Sequence, residues 1–369
     1  MRVESLSAVN FRNLSVPEFR PGEGVNIICG ANGLGKTNLI EAIWLFTGCR
    51  SFRSARDKEM IRFGDEKAEM KLRFFSGSRS REAGLLLDEK RHFTLNGVSL
   101  TGGRQMMGEF ACVAFTPLHL AIVKDGPEER RRFLDIAISQ LRPLYAKTVL
   151  EYNRILAQRN AALRAAKESP AMEAVLDLWD EPLAGKGAAI IETRMKYLAR
   201  LSESAAAIYD EISAGREQLT LGYRAYAREK TAADAAQIKE ELLRALAARR
   251  ATDLEHGSTG VGPHREEFSV RLSGVSARTY GSQGQQRSAA LTLKLAEAAL
   301  FAAVTGEEPV VLLDDVFSEL DPARQQYVVK HFENRQVFIT CCDEASVTRL
   351  ANSEVTVHRI EKLRGIADV

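Results

Sequence analysis

Residues Gly30-Ala31-Asn32-Gly33-Leu34-Gly35-Lys36-Thr37 satisfy G-x-x-x-x-G-K-[ST] at every fixed position. Each residue type has a chemical task. Glycines let successive backbone N–H groups curl around an anion, and a helix N-terminus adds partial positive charge. Lys36 is placed to reach the β/γ-phosphates of a nucleotide, Thr37 to ligate Mg²⁺, and Asn38 completes the set of candidate ATP-binding residues. A second chemical element lies far along the chain, where four apolar residues lead into Asp314 and Asp315 in "PVVLLDDVFSELD". A strand ending in carboxylates is what such a site needs for its metal. Asp314 would hold Mg²⁺ opposite Thr37, and Asp315 would poise the attacking water.

Both elements need scaffolding, and the flanking sequence supplies it. "VNIIC" reads as a buried strand running into the loop, and "KTNLIEAIWLF" as the helix leaving it, with Gly48 available to cap it. Asn96-Gly97, between alternating segments of "RHFTLNGVSL", predicts a hairpin. From about Gly126 to Arg250 the composition turns to Ala, Leu, Arg and Glu, which predicts several helices broken near Ser169-Pro170, Glu181-Pro182 and Gly215. Strand character returns in "FSVRLSGVSARTY". The expected organisation is a discontinuous α/β domain, residues 1–122 and 251–369, with a helical insertion at 123–250. No sustained heptads occur, which excludes a long coiled-coil arm.

Bulk composition sets outer bounds. The chain has 369 residues, 45% of them apolar and 27% charged, as in ordinary globular proteins, and a net charge of +2 that says nothing about partners. Five cysteines, Cys29, Cys49, Cys112, Cys341 and Cys342, are odd in number and lack CxxC spacing, against disulfides or a zinc site. No apolar run approaches membrane-spanning length and the N-terminus has no signal-peptide core, so a cytoplasmic protein without a membrane partner is expected.

A third element is "YGSQGQQRSAAL", Tyr280 to Leu291, polar and small just ahead of a helix. On its own it is an N-cap with a flexible lead-in. Placed about twenty-five residues before the acidic strand, it resembles the signature loop of ABC-type ATPases, with Ser282, Gln283, Gly284 and Gln285 as its core. "SELD", with Ser318 and Asp321, resembles their D-loop. The resemblance narrows when "FRN" (Phe11 to Asn13), "SFR" (Ser51 to Arg53), "GPEERRRFLD" (Gly126 to Asp135) and "GPHREEF" (Gly262 to Phe268) are added. In order and spacing these motifs are similar to those of the RecF family of recombination mediators.

That resemblance implies an α/β fold: an ABC-type ATPase head, with a P-loop mixed sheet and an antiparallel β subdomain, carrying an inserted α-helical domain. It implies ATP and Mg²⁺ as cofactors, Lys36 and Asp315 as catalytic residues, Thr37 and Asp314 as metal ligands, and an ATP-induced homodimer in which Ser282 to Gln285 act on the partner's nucleotide. It further implies binding of double-stranded DNA and single-strand/double-strand junctions, slow DNA-stimulated hydrolysis, RecR and RecO as partners, and roles in replication, repair and the SOS response. Asp at 315, where most ABC ATPases carry Glu, is the family's own choice. Two positions depart from the pattern: "VFITCCDEA" offers Thr340 and Cys341 where ABC ATPases carry a switch histidine, and His119 stands where the family often has Asp.

Candidate DNA contacts are Arg50, Arg53 and Arg56, then Arg130, Arg131 and Arg132. For each, a solvated charge or an ion pair with an acid such as Glu128 or Glu129 is the competing reading. By analogy with the superfamily, Phe11 and Arg12 are candidate adenine contacts, with a plain core strand the better reading for Phe11. His264 and Arg265 serve either a turn or a nucleotide. A transporter ATPase subunit would place roughly a hundred residues between loop and signature, and this chain has roughly two and a half times that. A cohesin-like head would need the missing heptads.

Overall fold

Three short strands buried along their whole length fix the centre of the fold: β3 (Val25–Cys29), β12 (Val310–Asp314) and β13 (Val337–Cys341). Strands covered on both faces read as apolar runs and belong in parallel sheets. With β8 (Cys112–Phe115) and β14 (Val355–Arg359) they form a five-stranded sheet in the order β14-β3-β13-β12-β8. Every described pairing in it is parallel, where a mixed sheet was expected. The one polar residue inside β3, Asn26, is satisfied: its Nδ2 donates to the Gly22 and Gly24 carbonyls, and its Oδ1 accepts the Gly22 N–H at 2.6 Å.

The computed structural model describes residues 1–53, 55–168, 173, 175–225, 234–317, 320–332, 335–342 and 355–363. The chain divides into two units, one of Met1–Leu120, Glu211–Ala214 and Ala290–Val369, the other of Ala121–Asp210 and Gly215–Ala289. The first break falls two residues from the expected 122. The second falls at 289/290, not 250/251.

In the first unit a six-stranded antiparallel sheet accompanies the parallel one, ordered β2-β1-β4-β5-β6-β7: β1 (Arg2–Phe11), β2 (Leu14–Phe19), β4 (Ala68–Ser76), β5 (Arg79–Leu87), β6 (Arg91–Leu95) and β7 (Val98–Leu100). Buried and exposed residues alternate strictly along β4, the period-two signature of a strand with one face on a core. The hairpin expected at Asn96-Gly97 is present, with Leu95 opposite Val98 and both turn residues at positive φ (49° and 80°), as a type I′ turn requires. Gln336, just before β13, brackets β1 by accepting the Val3 N–H at 2.7 Å and donating to its carbonyl at 2.9 Å. Helix α1 (Lys36–Leu45) leaves β3 through the glycine loop and is buried from Leu39 to Leu45.

The second unit contains α2 (Ala121–Lys124), α3 (Pro127–Leu141), α4 (Pro143–Glu168), most of α5 (Asp177–Ser213), α6 (Ala235–His256) and α7 (Ala277–Tyr280). It also holds a sheet of its own, β11-β10-β9, from β9 (Leu219–Arg224), β10 (Glu267–Leu272) and β11 (Val275–Ser276). These strands explain the displaced boundary. The strand character after 251 pairs antiparallel with β9 and so stays in the second unit. Of the expected helix breaks, Ser169 and Pro170 lie outside the described residues, between α4 and α5. Gly215, at φ 72°, ends α5 by donating its N–H to the Asp210 carbonyl. Pro182 does not break α5. It lies in the second turn, so the one ladder bond its missing N–H forgoes falls near the helix's N-terminal end.

Helix α8 (Gln283–Thr305) begins in the second unit and continues into the first from Ala290. By length and hydropathy it would pass for a membrane span, contrary to the expectation that none is present, but 72% of its apolar window is buried inside the protein. Helix α9 (Pro322–His331) follows the acidic strand.

Buried ion pairs hold the helices of the second unit in register. Arg159 is fully buried and donates to Asp180 on α5 at 2.6 Å, Asp253 on α6 at 2.9 Å and Thr259 at 2.8 Å. His264 is enclosed in the same unit: Tyr152 Oη lies 2.6 Å from its Nδ1, and its Nε2 lies 3.0 Å from the Thr259 carbonyl. Burial first, then the nearby Arg265, Arg131 and Arg194, push its pKa down from 6.5 to about 4. The folded value lies below the unfolded one, so the unfolded chain takes up the proton first. His264 therefore favours folding fully above pH 6.5, and that contribution is lost as pH falls toward 4. Between those values the loss is about 1.4 kcal/mol per pH unit. Urea midpoints should fall as pH is lowered across this window, and His264→Gln should flatten the profile; an unchanged slope would contradict the assignment.

Candidate functional site

The loop between β3 and α1 has the backbone its sequence requires. Gly30, Gly33 and Gly35 have φ of 149°, 81° and 104°, a region that costs glycine nothing. A Cβ on Gly35 would come within 2.8 Å of Asn13 and Leu14. Helix α1 starts with no side-chain cap and no acid in its first turn, leaving its first N–H groups for an anion. Lys36 is buried against the loop, its Nζ donating to the Gly30 carbonyl at 2.6 Å and the Ala31 carbonyl at 3.1 Å, with Asn32 Oδ1 at 3.4 Å. Ala31, Asn32 and Gly33 are exposed, while Leu34, Thr37 and Asn38 are half-buried.

Thr37 and the acidic strand meet. Thr37 Oγ1 donates to Asp314 Oδ1 at 2.9 Å, and Thr340 Oγ1 donates to the same oxygen at 2.8 Å. Burial raises the pKa of Asp314; the Thr340 and Thr37 donors oppose the rise and the neighbouring Asp315 adds to it. Asp315 is exposed with φ 52°, and its N–H donates to Thr340 Oγ1 at 2.9 Å. One hydroxyl and one carboxylate, both hard oxygen donors, suit Mg²⁺, which takes few protein ligands beside phosphate oxygens.

Two short motifs brace the loop from outside. Asn13 donates to the Gly33 carbonyl at 3.0 Å and accepts from Asn38 at 2.7 Å. Glu41, fully buried on α1, takes a two-pronged ion pair from Arg12 (2.5 and 2.9 Å) and the Ser51 hydroxyl at 2.5 Å, with Arg53 at 3.8 Å. Sequence reasoning missed Glu41, although a carboxylate inside the apolar run "LIEAI" was its signal. It also missed Cys342, which is exposed and whose Sγ lies 3.7 Å from Lys36 Nζ. Of the two residues expected near the switch position, Cys341 is buried and Thr340 serves the acidic pair.

The signature residues Ser282, Gln283, Gly284 and Gln285 lie in the second unit. Ser282 and Gln285 form a reciprocal cap: Gln285 N–H donates to Ser282 Oγ at 3.2 Å, and Ser282 N–H donates to Gln285 Oε1 at 2.7 Å. Gln285 Nε2 also donates to Glu217 at 2.6 Å. Ser282, Gln283 and Gly284 remain exposed, and the Ser282 hydroxyl hydrogen is not used by this cap. Asp321 caps α9 by accepting the Arg324 N–H at 3.0 Å and pairs with the Arg324 guanidinium. Ser318 lies outside the described residues.

The arginine candidates separate. Arg50, Arg53 and Arg56 are exposed on the segment after α1. Arg130 is corrected: it is buried, paired with Glu267, and donates to the Asp125 carbonyl at 3.0 Å, so it holds α3 to β10 and offers nothing to DNA. Arg131 is half-buried and its pKa is lowered, chiefly by that burial. Phe11 is a core residue, Arg12 is engaged by Glu41, and His264 is structural. His119, in the short 3-10 turn Pro117–Leu120 that follows β8, accepts the Thr116 N–H at 2.9 Å.

Residues 2–363 match the family described as RecF/RecN/SMC N terminal domain. The chain is 36% identical over 362 residues to the DNA replication and repair protein RecF of Clostridium perfringens, with 98% of each chain covered. It is 39% identical over 350 residues to RecF of Caldanaerobacter subterraneus, covering 94% of this chain and 96% of that one. Among solved structures it resembles the recombination mediator protein RecF-ATPrS of the RecFOR pathway, with a TM-score of 0.90, 36% identity, and coverage of 97% and 96%. An Smc head domain from Pyrococcus furiosus, at 16% identity and TM-score 0.53 over 95% and 92% of the chains, shares the fold.

Glu41→Ala should test the brace. It strands Arg12 beside an apolar helix, and breaking such a pair costs about 3–5 kcal/mol. Chemical denaturation should register that loss, whereas a change below about 1 kcal/mol, the worth of an exposed pair, would show that Glu41 is dispensable.

Proposed function

This chain belongs to the RecF family of DNA replication and repair proteins, and from that premise we propose that it is an ATP-gated, DNA-binding recombination mediator with a weak ATPase. The observation that carries the ATPase reading is the convergence of Thr37, Asp314 and Thr340 beside the phosphate loop. Relatives solved as RecF-ATP and RecF-ATPrS support the nucleotide.

Lys36 exchanges the loop carbonyls for the β/γ-phosphates, and the free N–H groups of α1 take the α/β-phosphates. Thr37 and Asp314 would hold Mg²⁺, which would supply charge neutralisation for the transferring phosphoryl group. Asp315 stands one residue beyond, exposed, and orients the attacking water. Its short carboxylate arm suits slow turnover. The Ser282 hydroxyl and the N-terminus of α8 are free to donate to a γ-phosphate, and Lys36 already serves that role within the same protomer. Ser282, Gln283, Gly284 and Gln285 therefore act on the partner's nucleotide, and ATP joins two protomers. Ser318 and Asp321 follow Asp315 as the D-loop of that joint.

Arg50, Arg53 and Arg56 supply phosphate contacts to duplex DNA and to single-strand/double-strand junctions, giving affinity without sequence reading and with strong salt dependence. The partners are RecR and RecO proteins, which stand with RecF in recombinase loading during replication, repair and the SOS response, in the cytoplasm.

A mobility-shift titration with duplex DNA, read beside light scattering, should show dimers and tighter binding with ATP but not with ADP. Lys36→Ala should abolish that difference. Duplex binding indifferent to nucleotide would overturn the gating. Asp315→Asn should retain ATP-induced dimers while turnover falls by about 10²–10³-fold; hydrolysis at the unaltered rate would remove Asp315 from the mechanism.

A further inference from the structure

We propose that Thr340 is a positioning residue for ATP turnover, its single hydroxyl fixing Asp314 and Asp315 relative to one another. This rests on the ATPase reading above. Thr340 lies in β13 directly beside Asp314 in the parallel register. It is 1% exposed, so no water competes for its hydroxyl. The hydroxyl hydrogen goes to Asp314 Oδ1 at 2.8 Å, and a lone pair receives the Asp315 N–H at 2.9 Å. A hydroxyl has one hydrogen to give, so these two contacts fix its rotor as well as both partners.

The geometry matters because the two aspartates are held differently. Asp314 is anchored by the strand, and its carboxylate has a second donor in Thr37. Asp315 has left the strand at φ 52°, a conformation an aspartate keeps only when its surroundings hold it there. The Thr340 oxygen supplies an acceptor for the backbone at that bend. Thr340 itself is buried and gives its only hydroxyl hydrogen to Asp314, so it has none to donate to a phosphate. It therefore acts through the two acids. A strand neighbour doing this work also gives a physical reason why the residue at this position is a hydroxyl.

Valine has the shape of threonine without the hydroxyl, and serine has the hydroxyl without the methyl, so the pair of variants separates hydrogen bonding from packing. In the full chain, Thr340→Val should release the Asp315 amide, read by hydrogen exchange without nucleotide, to exchange at least about tenfold faster. Its kcat should fall about ten- to hundredfold. ATP affinity, by equilibrium dialysis, should change less than about threefold because Lys36 and the α1 N-terminus are untouched. Thr340→Ser should bring amide protection and kcat back to within about threefold of the parent. Equal losses in both variants, or a Thr340→Val protein with parental kcat and amide protection, would overturn the proposal alone. A parent chain that neither binds nor hydrolyses ATP would overturn the ATPase reading and this proposal together.

Discussion

One carboxylate oxygen, Asp314 Oδ1, receives hydroxyl hydrogens from α1 and from β13 while sitting at the buried end of β12. A buried acid without donors either takes up a proton or distorts what surrounds it. Here the donors come from segments that are remote in sequence, so the acid is tolerated only if the phosphate loop's helix and the neighbouring strand are both in register. Satisfying one oxygen thus aligns the groups that a nucleotide would meet.

The same logic recurs wherever this chain buries charge. Glu41 gathers Arg12 and Ser51 behind the loop, Arg159 gathers α5 and α6 around α4, and Arg194 joins Asp135 to the Pro263 carbonyl. Apolar packing is forgiving of which neighbour fills a space. A buried guanidinium is not, because each missing acceptor leaves a charged donor without a partner. The short motifs scattered along the sequence are largely the two halves of such pairs: "FRN" and "SFR" meet at Glu41, and the acid that ends "GPEERRRFLD" meets Arg194.

What could be seen in the sequence was local. The glycine loop, the acidic strand and the Asn96-Gly97 turn each announce themselves within a dozen residues, and each is present. Arg130 in a run of arginines looked like a candidate DNA contact, with a solvated charge or an ion pair to Glu128 or Glu129 as the alternative, and only the fold reveals Glu267 opposite it. The strands after 251 looked like a return to the first domain because nothing in them says that β9 is their partner. Pro182 looked like a break because its closeness to the start of α5 could not be fixed from composition. Helix α8 carries spanning-length apolarity for an unrelated reason, burial on nearly every side.

The order of strands in the parallel sheet bears on how the chain comes into being. Strand β3, which delivers the phosphate loop, pairs with β13 on one side and β14 on the other, and with nothing synthesised in between. The bracket that Gln336 places on Val3 spans 333 residues. During synthesis from the N-terminus, "VNIIC" emerges with both edges unpaired and waits for nearly the whole chain before either is covered. An apolar strand in that position is the kind of edge that recruits foreign strands. Closing such distant pairs is also slow. The strand that delivers the phosphate loop therefore has neither edge covered until β13 and β14 have been made.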